Sequence, residues 1–195
     1  LHEWGVDFAS WCTYKYMNSG PGSLSAIFVH EQHCQDASIP RFAGWWGHDA
    51  ETRFLMDKKF IPMRSAQGWQ MSNPPILSFA PLRASLELFE KAGMDRLRTK
   101  SIQLSQYLWY ILQQVEAQSS LTFTLITPSD IQYRGAQLSI LTNEQGKALF
   151  TYLESHGVIA DWREPNVIRF SPVPFYNSYQ DIYQLGQIML KFAGL

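Results

Sequence analysis

Residues 13–22 read Thr13-Tyr14-Lys15-Tyr16-Met17-Asn18-Ser19-Gly20-Pro21-Gly22. The aromatic and small residues before them, from Trp4 to Cys12, predict a β-strand, and the glycines predict a loop whose backbone can lie close to a ligand. A lysine in an apolar pocket here loses hydration as a cation, so we expect the pKa of Lys15 to fall and its amine to attack an aldehyde. An ordinary loop lysine whose stem covers aromatic rings explains the same residues, and it is favoured when the stretch is taken alone.

The rest of the sequence predicts mixed strands and helices. Residues 25–30 predict a second strand, and residues 31–72 predict long loops with a short helix near 50–55. Apolar residues at helical spacing predict helices over 77–93 and 94–118, and the second suits a link between two domains. Farther along, the sequence predicts strands over 121–126, 136–141, 158–161 and 167–170 and helices over 143–156 and 178–192. This ββαββα order predicts a small α+β domain with helices on one face of a mainly antiparallel sheet.

The composition is that of a globular protein. The chain has 195 residues, 46% of them hydrophobic, and 16 basic against 17 acidic residues give a net charge of -1. No apolar run is long enough to span a bilayer and there is no broad basic field, so neither a membrane nor a nucleic-acid partner is expected. Cys12 and Cys34 cannot make a dense disulfide framework, which predicts a cytoplasmic location. Because Leu1 is not a methionine and directly precedes a strand-like segment, we expect the chain to be a piece of a longer protein.

Three further patterns carry no predicted function. His30-Glu31-Gln32-His33-Cys34 resembles a metal cluster but lacks the second histidine of a zinc-binding helix, so no metal site is predicted. Cys12 is predicted to be a small buried thiol. Gly20-Pro21-Gly22 lacks the spacing and the Lys-Ser/Thr ending of a nucleotide-binding loop.

Four blocks of the sequence together resemble the kynureninase family. They are residues 4–22, Gly44-Trp45-Trp46-Gly47-His48, Ser72-Asn73-Pro74-Pro75-Ile76, and Ile168-Arg169-Phe170-Ser171-Pro172-Val173-Pro174-Phe175-Tyr176-Asn177-Ser178. The blocks occur in the family's order and span nearly the whole chain. The resemblance implies an α/β enzyme of fold type I that uses pyridoxal 5'-phosphate (PLP). Residues 1–93 would then be the C-terminal part of the PLP-binding large domain, and residues 94–195 the linking helix and a small α+β C-terminal domain.

The resemblance also implies the roles of individual residues. Lys15 forms the Schiff base with the cofactor, and Tyr14 hydrogen-bonds the cofactor phosphate and donates or relays a proton. Trp45 and Asn73 match positions that contact the cofactor, and a contact across a dimer interface is one way in which they could do so. The alternatives are that Trp45 anchors a loop and that Asn73 is a turn residue before a proline. Arg169 matches the arginine that holds the α-carboxylate of the substrate in a bidentate fork, and the prolines after it stiffen its backbone. A surface arginine is the alternative.

The reaction implied is hydrolytic cleavage of the Cβ–Cγ bond of kynurenine or 3-hydroxykynurenine, a step of tryptophan catabolism and NAD biosynthesis. Ser72, Trp46 and His48 are candidates for the pocket around the aryl group. The Ser72-Asn73 pair resembles animal-type enzymes that prefer the hydroxylated substrate. The intact protein is expected to be a homodimer with shared active sites.

Two other hypotheses remain. In one, the chain is a stable domain that binds no cofactor, because before Lys15 only Glu3 and Asp7 could serve as the acidic partner of the pyridine nitrogen. In the other, the chain belongs to a different fold type I PLP enzyme, such as a cysteine desulfurase or an aminotransferase.

Overall fold

The computed structural model describes residues 1–195, which divide into two compact units, Leu1–Lys91 and Ala92–Leu195. Unit 1 contains β1 (Phe8–Cys12), β2 (Ser25–Val29), α1 (Glu31–Cys34), a short 3-10 helix (Ala66–Trp69) and α2 (Ile76–Ala92), which ends at the boundary. Unit 2 contains α3 (Met94–Gln118), β3 (Phe123–Leu125), a second 3-10 helix (Ile131–Tyr133), β4 (Leu138–Thr142), α4 (Gly146–Ser155), β5 (Asp161–Arg163), β6 (Val167–Phe170) and α5 (Tyr179–Phe192). None of these helices could cross a membrane by length and hydropathy. The assignment of residues 1–93 and 94–195 to two functional domains stays a prediction.

Strands β1 and β2 form an antiparallel hairpin, and residues 13–24 connect them. Cys12 pairs with Ser25 at the loop end of the hairpin. Both predicted strands are confirmed, but β1 begins at Phe8 rather than at the predicted residue 4. Residues 1–5 form turns instead, because their backbone N–H groups bond back within the segment and Gly5 has a φ of 64°. The hairpin therefore places Lys15 in a loop that is attached to a strand at each end.

The segment over residues 31–72 is largely irregular, as predicted, but the short helix expected near residues 50–55 is wrong. The Asp49 carboxylate accepts hydrogen bonds from the backbone N–H groups of Glu51 and Thr52 and from the Thr52 hydroxyl, which closes a turn. Met56 has a φ of 57°, a left-handed conformation that a continuing helix cannot contain. A helical turn that was not predicted, α1, follows directly after β2.

Unit 2 is a four-stranded antiparallel sheet, in the order β3-β4-β6-β5, packed with helices. One face of the sheet lies in the core, because alternate residues of β4 and β6 are buried while those between them are not. The core includes these side chains: Leu104, Leu108, Leu112, Leu138, Ile140, Leu153, Ile168 and Met189. The predicted ββαββα order and antiparallel pairing are confirmed.

Strand β5 occupies residues 161–163, so the predicted strand over residues 158–161 is displaced. Its pairing with β6 starts at Asp161 opposite Arg169. Continuing this register would place residues 159 and 158 opposite Ser171 and Pro172, and proline has no N–H to donate to a sheet. The ladder therefore stops, and Ile159 is fully exposed.

Helix α5 begins with a capping box. The Ser178 hydroxyl oxygen accepts a hydrogen bond from the Asp181 N–H at 3.3 Å, and the Asp181 carboxylate accepts one from the Ser178 N–H at 2.7 Å. Hydrogen bonds from Ser178, first from its backbone N–H and then from its side chain, hold the pKa of the Asp181 carboxyl below its usual range.

We expect Asp181→Asn to lower the Tm of the chain at pH 7 and to have no effect at the acid end of the stability curve. The folded-state pKa of Asp181 is lower than its unfolded value of about 3.9. Its stabilisation is therefore present above that value and is lost as the pH falls through the folded pKa. Thermal unfolding of both proteins as a function of pH checks this, with Glu144→Gln, at an exposed acid, as the control. A Tm difference that is independent of pH would contradict it.

Candidate active site

The loop that carries Lys15 is fixed by buried hydroxyl groups. The Thr13 side chain is fully buried; its hydroxyl donates to the Leu24 carbonyl and accepts a hydrogen bond of 2.9 Å from the Ser19 hydroxyl. Asn18, with a φ of 53°, turns the chain back. The Ser85 hydroxyl of α2 donates to the Met17 carbonyl. The loop is thus held internally and is also attached to α2.

The side chains of Tyr14 and Lys15 project outward from this loop. Lys15 is exposed, and its Nζ lies 5.5 Å from the centroid of the Tyr14 ring, which is itself half exposed. Neither side chain has a hydrogen-bond partner or an ion pair among residues 1–195. The apolar pocket predicted around Lys15 is therefore not formed by this chain, and the amine is open to reaction.

Two segments that carry predicted site residues pack directly against each other in unit 1. A Cβ atom added at Gly44 would lie 2.2 Å from both the Cα and the carbonyl oxygen of Met71, and one added at Gly47 would lie 2.6 Å from the Gln70 carbonyl oxygen. The Trp46 N–H donates to the Met71 carbonyl at 3.5 Å. These approaches require glycine and bring residues 44–48 beside residues 70–73.

The predicted cofactor contacts Trp45 and Asn73 lie in these two segments. Trp45 is about half exposed and makes edge contacts with the rings of Trp46 and Phe54, at centroid distances of 5.3 and 5.7 Å. Ser72 and Asn73 are exposed, and the Ser72 hydroxyl donates to the Asn73 side-chain oxygen at 3.2 Å. Ser72, Asn73 and Trp45 therefore present accessible polar and aromatic groups in one region of unit 1.

His48 and Trp46 are bound more firmly within the chain. His48 is buried, its Nδ1 accepts from the Ile61 N–H at 3.3 Å, and its Nε2 lies 3.1 Å from the Thr52 hydroxyl. The guanidinium carbon of Arg53 lies 4.8 Å from the centroid of the Trp46 ring. A substrate hydrogen bond to His48 would have to replace one of the bonds that its ring already makes.

Arg169 lies in unit 2, on β6. Its Nε and Nη2 both contact the Asp161 Oδ2 on the adjacent strand. About a third of its side chain remains accessible. The structure thus brings Tyr14 together with Lys15, and Trp45, Trp46 and His48 together with Ser72 and Asn73, whereas Arg169 belongs to the other unit.

The side chains of the histidine-rich segment, residues 30–34, make hydrogen bonds within unit 1. The His33 Nε2 lies 2.8 Å from the Asp7 Oδ1, and this contact holds the pKa of the exposed Asp7 carboxyl below its usual range. Across residues 1–195, no set of three or more His, Cys, Asp or Glu side chains is arranged to hold a metal ion.

Comparison with known proteins supports one family throughout the chain. A family model described as the kynureninase C-terminal domain matches residues 97–189. The kynureninase of Flavobacterium johnsoniae is 54% identical over 191 residues, which are 98% of this chain and 45% of that protein. The chain is similar to kynureninases along its whole length, and its C-terminal half matches their C-terminal domain. The kynureninase of Stenotrophomonas maltophilia is 52% identical over 198 residues. These are 100% of this chain and 46% of that protein. The chain therefore spans about half the length of the kynureninases that it matches.

Solved structures show the fold of this chain. The apo cysteine desulfurase from Thermococcus onnurineus NA1 matches with a TM-score of 0.75 and 16% identity, over 97% of this chain and 48% of that one. An alanine–glyoxylate aminotransferase from Nostoc sp. matches with a TM-score of 0.66 and 18% identity, over 97% and 48%. The lyase C-DES, with glycine covalently linked to its PLP cofactor, matches with a TM-score of 0.72 and 16% identity, over 94% and 46%. The predicted α/β fold, that of PLP-dependent fold type I enzymes, is confirmed.

Three residues that position the candidate site were not singled out from the sequence. Thr13 was quoted only as part of the lysine loop, and Gly44 only as part of a block. Asp161 was placed at the end of a strand without a role. The signal that could have identified Asp161 is the hairpin formed by β5 and β6, because residues opposite each other in such a pair lie on the same face.

Proposed function

We propose that this chain is the C-terminal part of a PLP-dependent hydrolase that cleaves the Cβ–Cγ bond of L-kynurenine or 3-hydroxy-L-kynurenine. The products are L-alanine and anthranilate or 3-hydroxyanthranilate. The observation that carries the proposal is the exposed amine of Lys15 on a rigid loop, beside Tyr14, in a chain that is similar to kynureninases.

Four residues of unit 1 would hold the cofactor. Lys15 Nζ takes part in no ion pair, so it is available for covalent attachment to an aldehyde. The Tyr14 hydroxyl has no partner among residues 1–195 and can donate to a phosphate oxygen. Trp45 offers an accessible aromatic ring, and Asn73 an accessible side-chain amide. These groups fit PLP, which when bound draws electrons from the carbon atoms of the amino acid attached to it.

Lys15 and Tyr14 would also move the protons of the reaction. The Lys15 amine, when it is not bonded to the cofactor, would be the base for the proton at the substrate Cα. The Tyr14 phenol, whose ring lies beside that amine, would donate or relay a proton to the substrate. A water molecule then adds to the γ-carbonyl before the Cβ–Cγ bond breaks.

Four residues are proposed to hold the substrate. Arg169 is proposed to bind the α-carboxylate, and Ser72, Trp46 and His48 are proposed to line the pocket around the aryl group. Of these, Ser72 is the most accessible polar side chain and is bonded to Asn73. The pair supports a preference for 3-hydroxykynurenine, because a hydroxyl on the ring can join its hydrogen bonds.

Similarity to kynureninases supports the remaining proposals. The intact protein would be a cytoplasmic homodimer with shared active sites, acting in tryptophan catabolism and NAD biosynthesis on a small amino-acid substrate. A desulfurase or aminotransferase activity is supported only by likeness of fold at 16–18% identity. The exposure of Lys15 supports the alternative that the 195-residue chain alone holds no cofactor.

The decisive experiment is an assay of the full-length protein with PLP. We expect L-kynurenine to release fluorescent anthranilate and 3-hydroxy-L-kynurenine to be cleaved with the higher kcat/KM, because Ser72 and Asn73 present hydrogen-bonding groups. L-cysteine with detection of sulfide, and L-alanine with glyoxylate, are the matched controls for the other two reactions. Sulfide or transamination without anthranilate would overturn the proposal. The same assay on the 195-residue chain tests whether it holds a site by itself.

A further inference from the structure

Asp161 and Arg169 lie directly opposite each other on neighbouring strands. They are a register pair of β5 and β6. The residues on each side of Arg169, Ile168 and Phe170, are buried in the core. Because successive side chains of a strand alternate between the two faces, Arg169 and Asp161 project from the face of the sheet that is turned away from the core.

Asp161 binds one edge of the Arg169 guanidinium and leaves another open. The Asp161 Oδ2 is contacted by Nε and Nη2, which form the side edge of the group. The end edge, formed by Nη1 and the second N–H of Nη2, has no hydrogen-bond partner among residues 1–195. Since the guanidinium is planar and its donors point in fixed directions, holding the side edge fixes the direction of the end edge.

A second carboxylate could bind beside the pair of Asp161 and Arg169, because the neighbouring side chain is small and the local charge is positive. On the other side of Arg169, β4 presents Ser139, which has a small side chain. Arg163, on the same face of β5, also contacts the Asp161 Oδ2, at 3.0 Å. Two guanidinium groups around one carboxylate leave a net positive charge on this face, and it attracts an anion.

We propose that Asp161 is a positioning residue, which holds the side edge of Arg169 so that the end edge receives the α-carboxylate of an amino-acid substrate. This inference rests on the proposed function of Arg169. Asp161 touches neither substrate nor cofactor. Its effect passes through the orientation of one guanidinium, and two parallel N–H···O bonds to a carboxylate depend strongly on that orientation.

The test is Asp161→Asn in the full-length protein loaded with PLP. We expect KM for kynurenine to rise roughly 10- to 100-fold, with kcat within about threefold, because the carboxylate contact is made in both the ground state and the transition state. Asp161→Glu, which keeps a carboxylate, should recover most of the loss. Glu164→Gln is the matched control, since it also converts an exposed acid of the β5–β6 hairpin to its amide, but that acid contacts Lys147 and Trp162 and not Arg169, so KM should stay unchanged.

Two measurements separate positioning from a general structural role. Binding of L-alanine, followed by the absorbance of the bound cofactor, should weaken in Asp161→Asn, whereas binding of ethylamine, which lacks a carboxylate, should not. In an Arg169→Gln background, Asp161→Asn should cause less than about a twofold further change. Equal weakening of both ligands, or an undiminished effect in that background, would overturn the proposal. Both ligands are measured without turnover of kynurenine, so failure of the proposed reaction and failure of this inference give different results.

Discussion

Lys15→Ala is expected to lower the kcat of the full-length protein for kynurenine by about 1,000-fold or more. The substitution removes the amine that we propose as both the attachment point of the cofactor and the base for the proton at Cα. General acid–base catalysis alone contributes roughly 10²–10⁴-fold. The fold should survive, because Lys15 is exposed and the loop is held by Thr13, Ser19 and Ser85 instead. Stopped-flow or steady-state anthranilate fluorescence measures the loss.

Borohydride reduction identifies the lysine independently of turnover. In the wild-type protein the reduced cofactor should be recovered by peptide mapping on the peptide that contains Lys15, and in Lys15→Ala it should not be recovered at all. Lys58→Ala, at another exposed lysine of unit 1, is the matched control and should retain both the label and the activity. Label found on a different lysine of the wild-type protein would contradict the assignment.

Gly44→Ala is expected to destabilise the protein by about 3 kcal/mol, at the upper end of the usual cost of overpacking. A Cβ at this position would lie 2.2 Å from the Cα and carbonyl oxygen of Met71, and these are backbone atoms that cannot rotate away. The φ of Gly44 is not in the left-handed region, so the cost comes from contact and not from backbone strain. Relieving it must move residues 70–73 away from residues 44–48.

The same displacement should reduce activity, because it separates Trp45 from Ser72 and Asn73. We expect kcat/KM to fall roughly 100-fold, while borohydride still attaches the cofactor to Lys15. Urea unfolding and steady-state kinetics of the full-length protein measure the two effects. Gly135→Ala is the control, since a Cβ there meets no atom within 4 Å, and its stability should change by less than about 0.5 kcal/mol. If Gly44→Ala has the same stability and kinetics as the wild-type protein, residues 44–48 and 70–73 need not pack this closely.

Local patterns in the sequence were sufficient for most of unit 2. The helices and strands there follow from apolar spacing and from caps such as Ser178 with Asp181, which act over a few residues. The errors arose where local pattern and pairing disagree. Residues 158–160 have the composition of a strand, yet β5 begins at Asp161. The register of β5 and β6 would place Val158 opposite Pro172, which has no N–H to donate to the ladder.

In unit 1 the sequence indicated the candidate reactive residue, Lys15, but not its surroundings. The glycines and aromatic residues around Lys15 identified a loop after a strand, and the order of four sequence blocks indicated the resemblance to kynureninases. The hydroxyl groups that fasten the loop lie on separate elements; Ser85 belongs to α2 and reaches the loop only in the folded chain. Burial of Lys15 was expected and is not found, because accessibility depends on what packs around a residue and not on its neighbours in sequence.

The sequence by itself therefore indicated the candidate site residues, since residue type and order along the chain distinguish Lys15, Tyr14, Trp45, Asn73 and Arg169. Only the tertiary structure decided how Arg169 and the segment that carries Trp45 are supported. It placed Asp161 on the side edge of Arg169 and the backbone of Met71 against Gly44. The reason is that strand register and backbone approach are set by packing between segments distant in sequence, and no local pattern of residues encodes them.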